Sequence, residues 1–185
     1  MPTLVEVVPY HETWANSFLE IEETIRRLLG ASVVTIDHIG STAVPGLSAK
    51  PVIDIDVTLR SLSDVPSAGS VLIAAGYESR GNRYDDDVWA FMDRISVPKQ
   101  RVYLCLPANE THIRRLIFRD YLLAHKDVAT AYGSLKQDLA KEFAHDGDGY
   151  TAAKTRFINE VIELACKNTN SATKLATNTR IDPEI

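Results

Sequence analysis

The stretch HIGSTAVPGLSAKPVIDIDV, residues 38–57, decides how this chain is read. An apolar run of Val33, Val34, Ile36 and Ile39 leads into Gly40-Ser41-Thr42, and a second run follows in which Asp54 and Asp56 alternate with Ile53, Ile55 and Val57. Side chains alternate faces along a strand, so the two aspartates share one surface and the aliphatic residues the other. Like charges held that close raise each other's pKa unless a cation or a hydrogen-bond network lies between them. A hard divalent ion, magnesium above all, answers that repulsion through oxygen ligands. The upstream Gly-Ser offers backbone N–H groups and hydroxyls to phosphate oxygens without steric conflict. The expectation is a site for a metal-bound nucleoside triphosphate. Asp54 and Asp56 are its catalytic and magnesium-holding residues, and Gly40, Ser41 and Thr42 lie against the phosphates. Each part alone has a plainer reading, a solvated strand end and a common loop composition; it is their conjunction that points to a nucleotide.

Outward from this core, Leu4 to Val8 reads as a short strand closed by Pro9. Trp14, Phe18, Ile21, Ile25, Leu28 and Leu29 then recur at helical spacing, with Gly30 where a helix commonly ends. Downstream of the aspartates, Ser63 or Asp64 caps a helix that Gly76 closes, and Tyr77 to Arg83, Val88 to Arg94 and Arg101 to Leu106 read as strands extending the same sheet. Asp85-Asp86-Asp87 between two of them is most simply a solvated turn. From Asn109 the periodicity turns helical in three segments, with Asp127 and Thr151 as N-caps of the second and third. His145-Asp146-Gly147-Asp148-Gly149 resembles part of a calcium loop but lacks the later bidentate glutamate, so it reads as a flexible connection. Residues 1–166 form one domain. Residues 167–185, rich in Asn, Thr, Ser and Ala, form a polar tail with too little apolar surface to offset the entropy of ordering it.

With 185 residues, 45% of them hydrophobic and 24% charged, the chain has the makings of one well-filled core. A net charge of −5 repels a polyanion, so nucleic acid is not an expected partner, whereas a free nucleotide needs only a metal and a few lysines. Two cysteines, Cys105 and Cys166, suit free thiols in a reducing cytoplasm. No secretory signal opens the sequence, and no apolar stretch approaches the roughly 20 residues that span a bilayer.

The stretch at residues 38–57 resembles the GrpB family, whose members carry a version of HIGSTAVPGLxAKPxIDI. That family is similar to a branch of the polymerase-beta-type nucleotidyltransferases. The resemblance continues through FRDYL at Phe118 to Leu122, Tyr132 with Leu135-Lys136, and Tyr150 with Lys154 and Phe157, and covers about Val5 to Ala165. It implies an α/β (α+β) fold, a nucleotidyltransferase-like mixed β-sheet flanked by helices with a C-terminal helical bundle. It also implies transfer of a nucleoside monophosphate from an NTP to a hydroxyl of a small-molecule or protein acceptor. The alternative is a catalytically degenerate nucleotide-binding or folding and assembly module, like the domain fused to dephospho-CoA kinase. A homodimer is left open.

Two features depart from the full pattern. Such enzymes usually add a third carboxylate from a neighbouring strand, and here Glu78 and Asp93 are candidates that no spacing fixes. GrpB relatives often carry histidines where this chain has RVYLCL, with Tyr103 and Cys105 in their places. Two carboxylates alone make one-metal nucleotide binding more credible than chemistry with two ions about 3.5–4 Å apart. Lys50, Lys136 and Lys154 are candidates to neutralise phosphate, and one of the adjacent pair Arg119 and Asp120 is expected to reach inward, Arg119 being the phosphate candidate. His38 is expected to satisfy a backbone group, and Tyr132 and Tyr150 to pack in the core more readily than to stack on a base. Replacing either Asp54 or Asp56 with Asn is expected to abolish metal-dependent nucleotide binding and leave the fold intact.

Overall fold

The computed structural model describes residues 4–82 and 85–178, with side chains as far as 168. Five strands, β1 (Val33–Ile39), β2 (Val52–Leu59), β3 (Glu78–Asn82), β4 (Trp89–Asp93) and β5 (Lys99–Cys105), form one sheet in the order β1-β2-β5-β4-β3. Neighbours run antiparallel except β2 and β5, which are parallel and set Asp54 beside Arg101 and Asp56 beside Tyr103. The hairpin of β3 and β4 is laid to the far edge, which leaves β5 to return beside β2.

The helices are α1 (Thr13–Leu29), α2 (Val65–Ala74), α3 (Glu110–Ala124), α4 (Lys126–Glu142), α5 (Gly147–Ala153) and α6 (Thr155–Asn178). The aliphatic side of β2, Ile53, Ile55, Val57 and Leu59, packs with Val102 and Leu104 of β5 against α1 and α2, through Ile21, Ile25, Val65 and Leu72. Full burial of such side chains contributes about 1.5–3 kcal/mol each. Gly30, at φ +58°, stops α1 in a conformation that side chains disfavour. A second cluster joins Leu122 of α3 and Ala129 and Tyr132 of α4 to Val44 and Leu47, in the connection between β1 and β2. The helical layer of α3 to α6 is thereby fixed over the face that carries Asp54 and Asp56.

Four local expectations change. Leu4 to Val8 makes no ladder: Val8 forms one bridge to Ala49, and Val5 donates to the Ala144 carbonyl, Pro9 having no N–H with which to extend pairing. The segment from His145 to Gly149 is not a loose connection, because the Asp146 side chain accepts from the Gly149 N–H at 2.9 Å and starts α5. Thr151 therefore lies within α5, and Asp127 lies in the first turn of α4 rather than at its cap. Helix α6 continues through the polar segment as far as Asn178, with no Gly or Pro between Thr155 and Asn178 to break it. Arg83 and residues 179–185, read above as strand end and tail, lie outside the described residues.

Candidate functional site

Asp54 and Asp56 project from the same face of β2, as the period of two requires, but into different surroundings. Asp56 is fully buried and both its carboxylate oxygens are engaged: Oδ1 accepts from Arg115 Nη1 at 2.7 Å, and Oδ2 is 2.9 Å from His112 Nδ1. The Arg115 guanidinium also lies over the Tyr103 ring, 4.0 Å from its centre. Asp54 keeps 23% of its side chain exposed and accepts from Arg101 Nη1 at 3.1 Å through Oδ1. The repulsion that the sequence places on this strand is thus answered by arginines. Asp54 in turn raises the pKa of Arg101.

A polar cavity of about 160 Å³ opens above Asp54, lined by Ser41 and Thr42, Lys50, Arg101, Lys136, Tyr150 and Lys154. Separate segments supply its charges: the end of the β1–β2 connection gives Lys50, β5 gives Arg101, α4 gives Lys136, and the junction of α5 and α6 gives Lys154. The Lys50 and Lys154 ammonium groups stand 4.1 and 4.4 Å from the centre of the Tyr150 ring. Lys136 is 2% exposed, its Nζ donates to the Ser48 carbonyl, and it stands 4.7 Å from the centre of the Tyr132 ring. Burial, and then Lys154, brings the Lys136 pKa down to about 7. Burial, and then Lys50 and Arg101 against the opposing pull of Asp54, brings Lys154 down to about 8. Lys50 is lowered likewise, by burial and then Arg101. Gly40 holds φ +71°, and a Cβ there would stand 3.0 Å from Asp54 Oδ2, so the glycine lets the loop close over the carboxylate.

Of the residues singled out in the sequence, Ser41, Thr42, Lys50, Asp54, Lys136 and Lys154 meet at this cavity. The Thr42 hydroxyl is occupied with the Val52 carbonyl and His38 Nε2, at 3.2 and 3.0 Å. Arg119 does not line the cavity; its Nη1 donates to the His38 carbonyl at 2.9 Å and its Nε to the neighbouring Asp120 at 2.7 Å. His38 stacks on Phe18 on the opposite side of the sheet, where burial and then Arg119 lower its pKa to about 4. Tyr132 and Tyr150 are buried, as core packing requires.

Glu78 stands three strands from β2 and pairs with Arg94. Asp93 alternates onto the other face and caps the next turn through the Ile95 and Ser96 N–H groups. Sequence reasoning missed Arg101, His112 and Arg115. His112 and Arg115, at i and i+3 along α3, share one helical face and one target, Asp56, while Arg119 one turn further on reaches the His38 carbonyl instead.

The donor set bears on magnesium directly. Both oxygens of Asp56 and one of Asp54 already accept from cationic or imidazole donors, and β5 brings Arg101 and Tyr103, not an acid, beside the pair. Among the described residues, no three His, Cys, Asp or Glu side chains group as a metal centre requires. This arrangement does not fit an ion bridging the two aspartates; it fits an anion above Asp54.

Comparisons with known proteins agree on the architecture. The family model described as GrpB protein matches residues 4–164. The glutamate-rich protein GrpB of Alkalihalophilus pseudofirmus is 33% identical over 163 residues, which cover 85% of this chain and 94% of that protein. YqkA of Bacillus subtilis is 32% identical over 161 residues, 87% of this chain but 47% of the relative, so the chain spans about half that protein's length. A dephospho-CoA kinase of Mycolicibacterium paratuberculosis is 28% identical over 192 residues, covering 87% of this chain and 46% of the kinase. Among solved structures, the conserved protein GrpB from Enterococcus faecalis superposes with a TM-score of 0.81 at 30% identity, over 89% of this chain and 99% of that one. The Cid1 poly(U) polymerase, in a structure described as MgGTP bound, shares the fold at a TM-score of 0.53 and 16% identity, over 72% of this chain and 44% of the polymerase. The sheet and its helices are therefore of the nucleotidyltransferase type. With residues 4–164 matched by the family model and a GrpB structure superposing over 89% of its length, the chain belongs to the GrpB family.

Proposed function

We propose that this chain is a nucleotide-binding module that keeps the nucleotidyltransferase fold and holds a nucleoside triphosphate by its phosphates above Asp54. One observation carries the reading: Lys50, Arg101, Lys136 and Lys154 converge from separate elements on a single polar cavity beside the Ser41 turn. At about 160 Å³ it is smaller than the roughly 300–1,000 Å³ that whole ligands occupy, so the phosphates enter and the nucleoside does not. A neighbouring cavity of about 670 Å³ shares Lys50, Val52 and Arg101 and offers Trp14, Pro51 and Met92 as apolar walls for the nucleoside. The free thiols of Cys105 and Cys166 suit a cytoplasmic setting. The length match to a dephospho-CoA kinase supports a module that also works beside another domain.

A second reading, nucleotidyl transfer, is favoured by the part-exposed Asp54 facing the cavity. There a hydroxyl of a small-molecule or protein acceptor attacks the α-phosphorus of the NTP, a new phosphate ester forms, and pyrophosphate leaves. That reading calls for magnesium on Asp54, where Arg101 now donates. Incubation of the full chain with labelled ATP, GTP, CTP and UTP in magnesium separates the two. Binding without pyrophosphate release is the expected result, release of pyrophosphate establishes transfer, and absence of binding for all four overturns both.

A further inference from the structure

We infer that the cavity above Asp54 takes its polyphosphate free of divalent metal, with Arg101 and the three lysines supplying the neutralisation that magnesium supplies elsewhere. The inference rests on the cavity being the phosphate site proposed above, and it specifies the ionic form of the ligand.

The lining charges set the class of ligand. Four cationic side chains and one carboxylate line the cavity, a formal excess of three positive charges. None of the four is neutralised by a second acid there: Arg101 uses Asp54, Lys136 uses the neutral Ser48 carbonyl, and Lys50 and Lys154 gather at the face of Tyr150. Burial without a counter-charge is costly for an ammonium group. Lys136, 2% exposed, is the extreme case, and the downward pressure on the pKa of all three lysines reports the same crowding. The missing partner is a compact polyanion.

A metal-free triphosphate carries about four negative charges near neutral pH, and binding magnesium removes about two of them. Against an excess of three, either form leaves one charge over, so the choice between them falls to the groups that would ligate the ion. The strand register makes that choice. Beside Asp54 and Asp56, β5 sets Arg101 and Tyr103. A magnesium ion on Asp54 would have only Oδ2 to bind and would stand beside the Arg101 guanidinium that holds Oδ1 at 3.1 Å, while Asp56 stays sealed by Arg115 and His112. Arg101 thus occupies the role of the cation itself. It is covalently attached, and it orients Asp54 as a hydrogen-bond acceptor.

Titration calorimetry on the full chain with sodium tripolyphosphate and with ATP, each in EDTA and in excess magnesium, tests this. Both probes are expected to bind in EDTA, and magnesium is expected to weaken binding by about tenfold or more, a change of about 1.4 kcal/mol. Arg101→Ala is expected to weaken binding in EDTA and to reverse the magnesium effect, since Asp54 is then free to hold the ion. Lys154→Gln, at a helix junction, is expected to weaken binding in EDTA without reversing the magnesium effect, and it serves where Arg101→Ala fails to fold. Binding in magnesium alone overturns the metal-free inference and leaves the nucleotide reading standing. Tripolyphosphate binding without ATP binding overturns the nucleotide reading and leaves this one. Failure of the folded protein to bind either probe overturns both.

Discussion

Replacing Asp56 with Asn distinguishes a carboxylate that holds the protein together from one that serves a ligand. The change is nearly isosteric, so it leaves packing alone and acts on charge and hydrogen bonding. Asp56 is fully buried, with one oxygen 2.7 Å from Arg115 and the other 2.9 Å from His112. An Asn keeps one acceptor oxygen and turns an NH₂ toward a donor, leaving Arg115 without its counter-charge. Breaking a buried pair from one side costs about 3–5 kcal/mol. Because the Arg115 side chain keeps 25% exposure and can recover some hydration, the lower end, about 3 kcal/mol, is expected. For a chain of this size that lowers the melting temperature by about 6–12 °C. Asp54→Asn breaks a pair whose members keep 23% and 36% of their side chains exposed, and costs no more than about 1 kcal/mol. Urea unfolding of both variants, followed by circular dichroism at one pH and salt concentration, reads the difference. Equal midpoints for the two variants would refute the assignment of a structural role to Asp56. The expectation from sequence that either replacement spares the fold is thereby restricted to Asp54.

Lys136 makes stability depend on pH. Its folded pKa, about 7, lies below the 10.5 of an ordinary lysine, so between those values the unfolded chain binds the extra proton. Stability therefore rises as pH increases from about 7 toward 10.5, by an amount on the order of several kcal/mol, and Lys136→Met should remove that part of the slope in urea titrations. A slope unchanged in the variant contradicts the assignment. Gly40→Ala should destabilise the protein by about 1–2 kcal/mol, through its positive φ and through contact with Asp54, and should weaken tripolyphosphate binding; wild-type values for both would show the loop able to move aside. With a thiol reagent the native protein should react at Cys166 alone, because Cys105 is buried and its thiol is pushed up to about 12 by burial and then Asp56. Two equivalents reacting before unfolding would contradict that burial.

Much of the fold was legible because its signals are periodic. Alternation along residues 53–57 placed both aspartates on one face, and the spacing from Trp14 to Leu29 announced α1 and its glycine stop. The cavity was legible in part. Lys50, Lys136 and Lys154 were each named, but only the packing of α4 and α5 over the sheet brings them to one place. What stayed hidden is the partnering of charge. Asp56 pairs with residues 56 and 59 positions downstream, and Asp54 with one 47 positions away, across a parallel register that no local pattern encodes. Of the adjacent Arg119 and Asp120, one was expected to reach inward, and Arg119 does so to the His38 carbonyl at 2.9 Å while also meeting Asp120 at 2.7 Å, away from the cavity.

The long loop in sequence between Asp56 and Arg115 also sets an order of events during synthesis. The 59 residues that separate them take about 3–12 s to translate at roughly 5–20 residues per second. Through that interval the nascent β1–β2 hairpin already has α1 available to shelter its aliphatic side, but its acidic side still lacks the guanidinium that will cover it. One surface of the central strand can therefore consolidate early while the other stays hydrated. Assembly of the ligand-facing half waits for α3 to emerge from the ribosome.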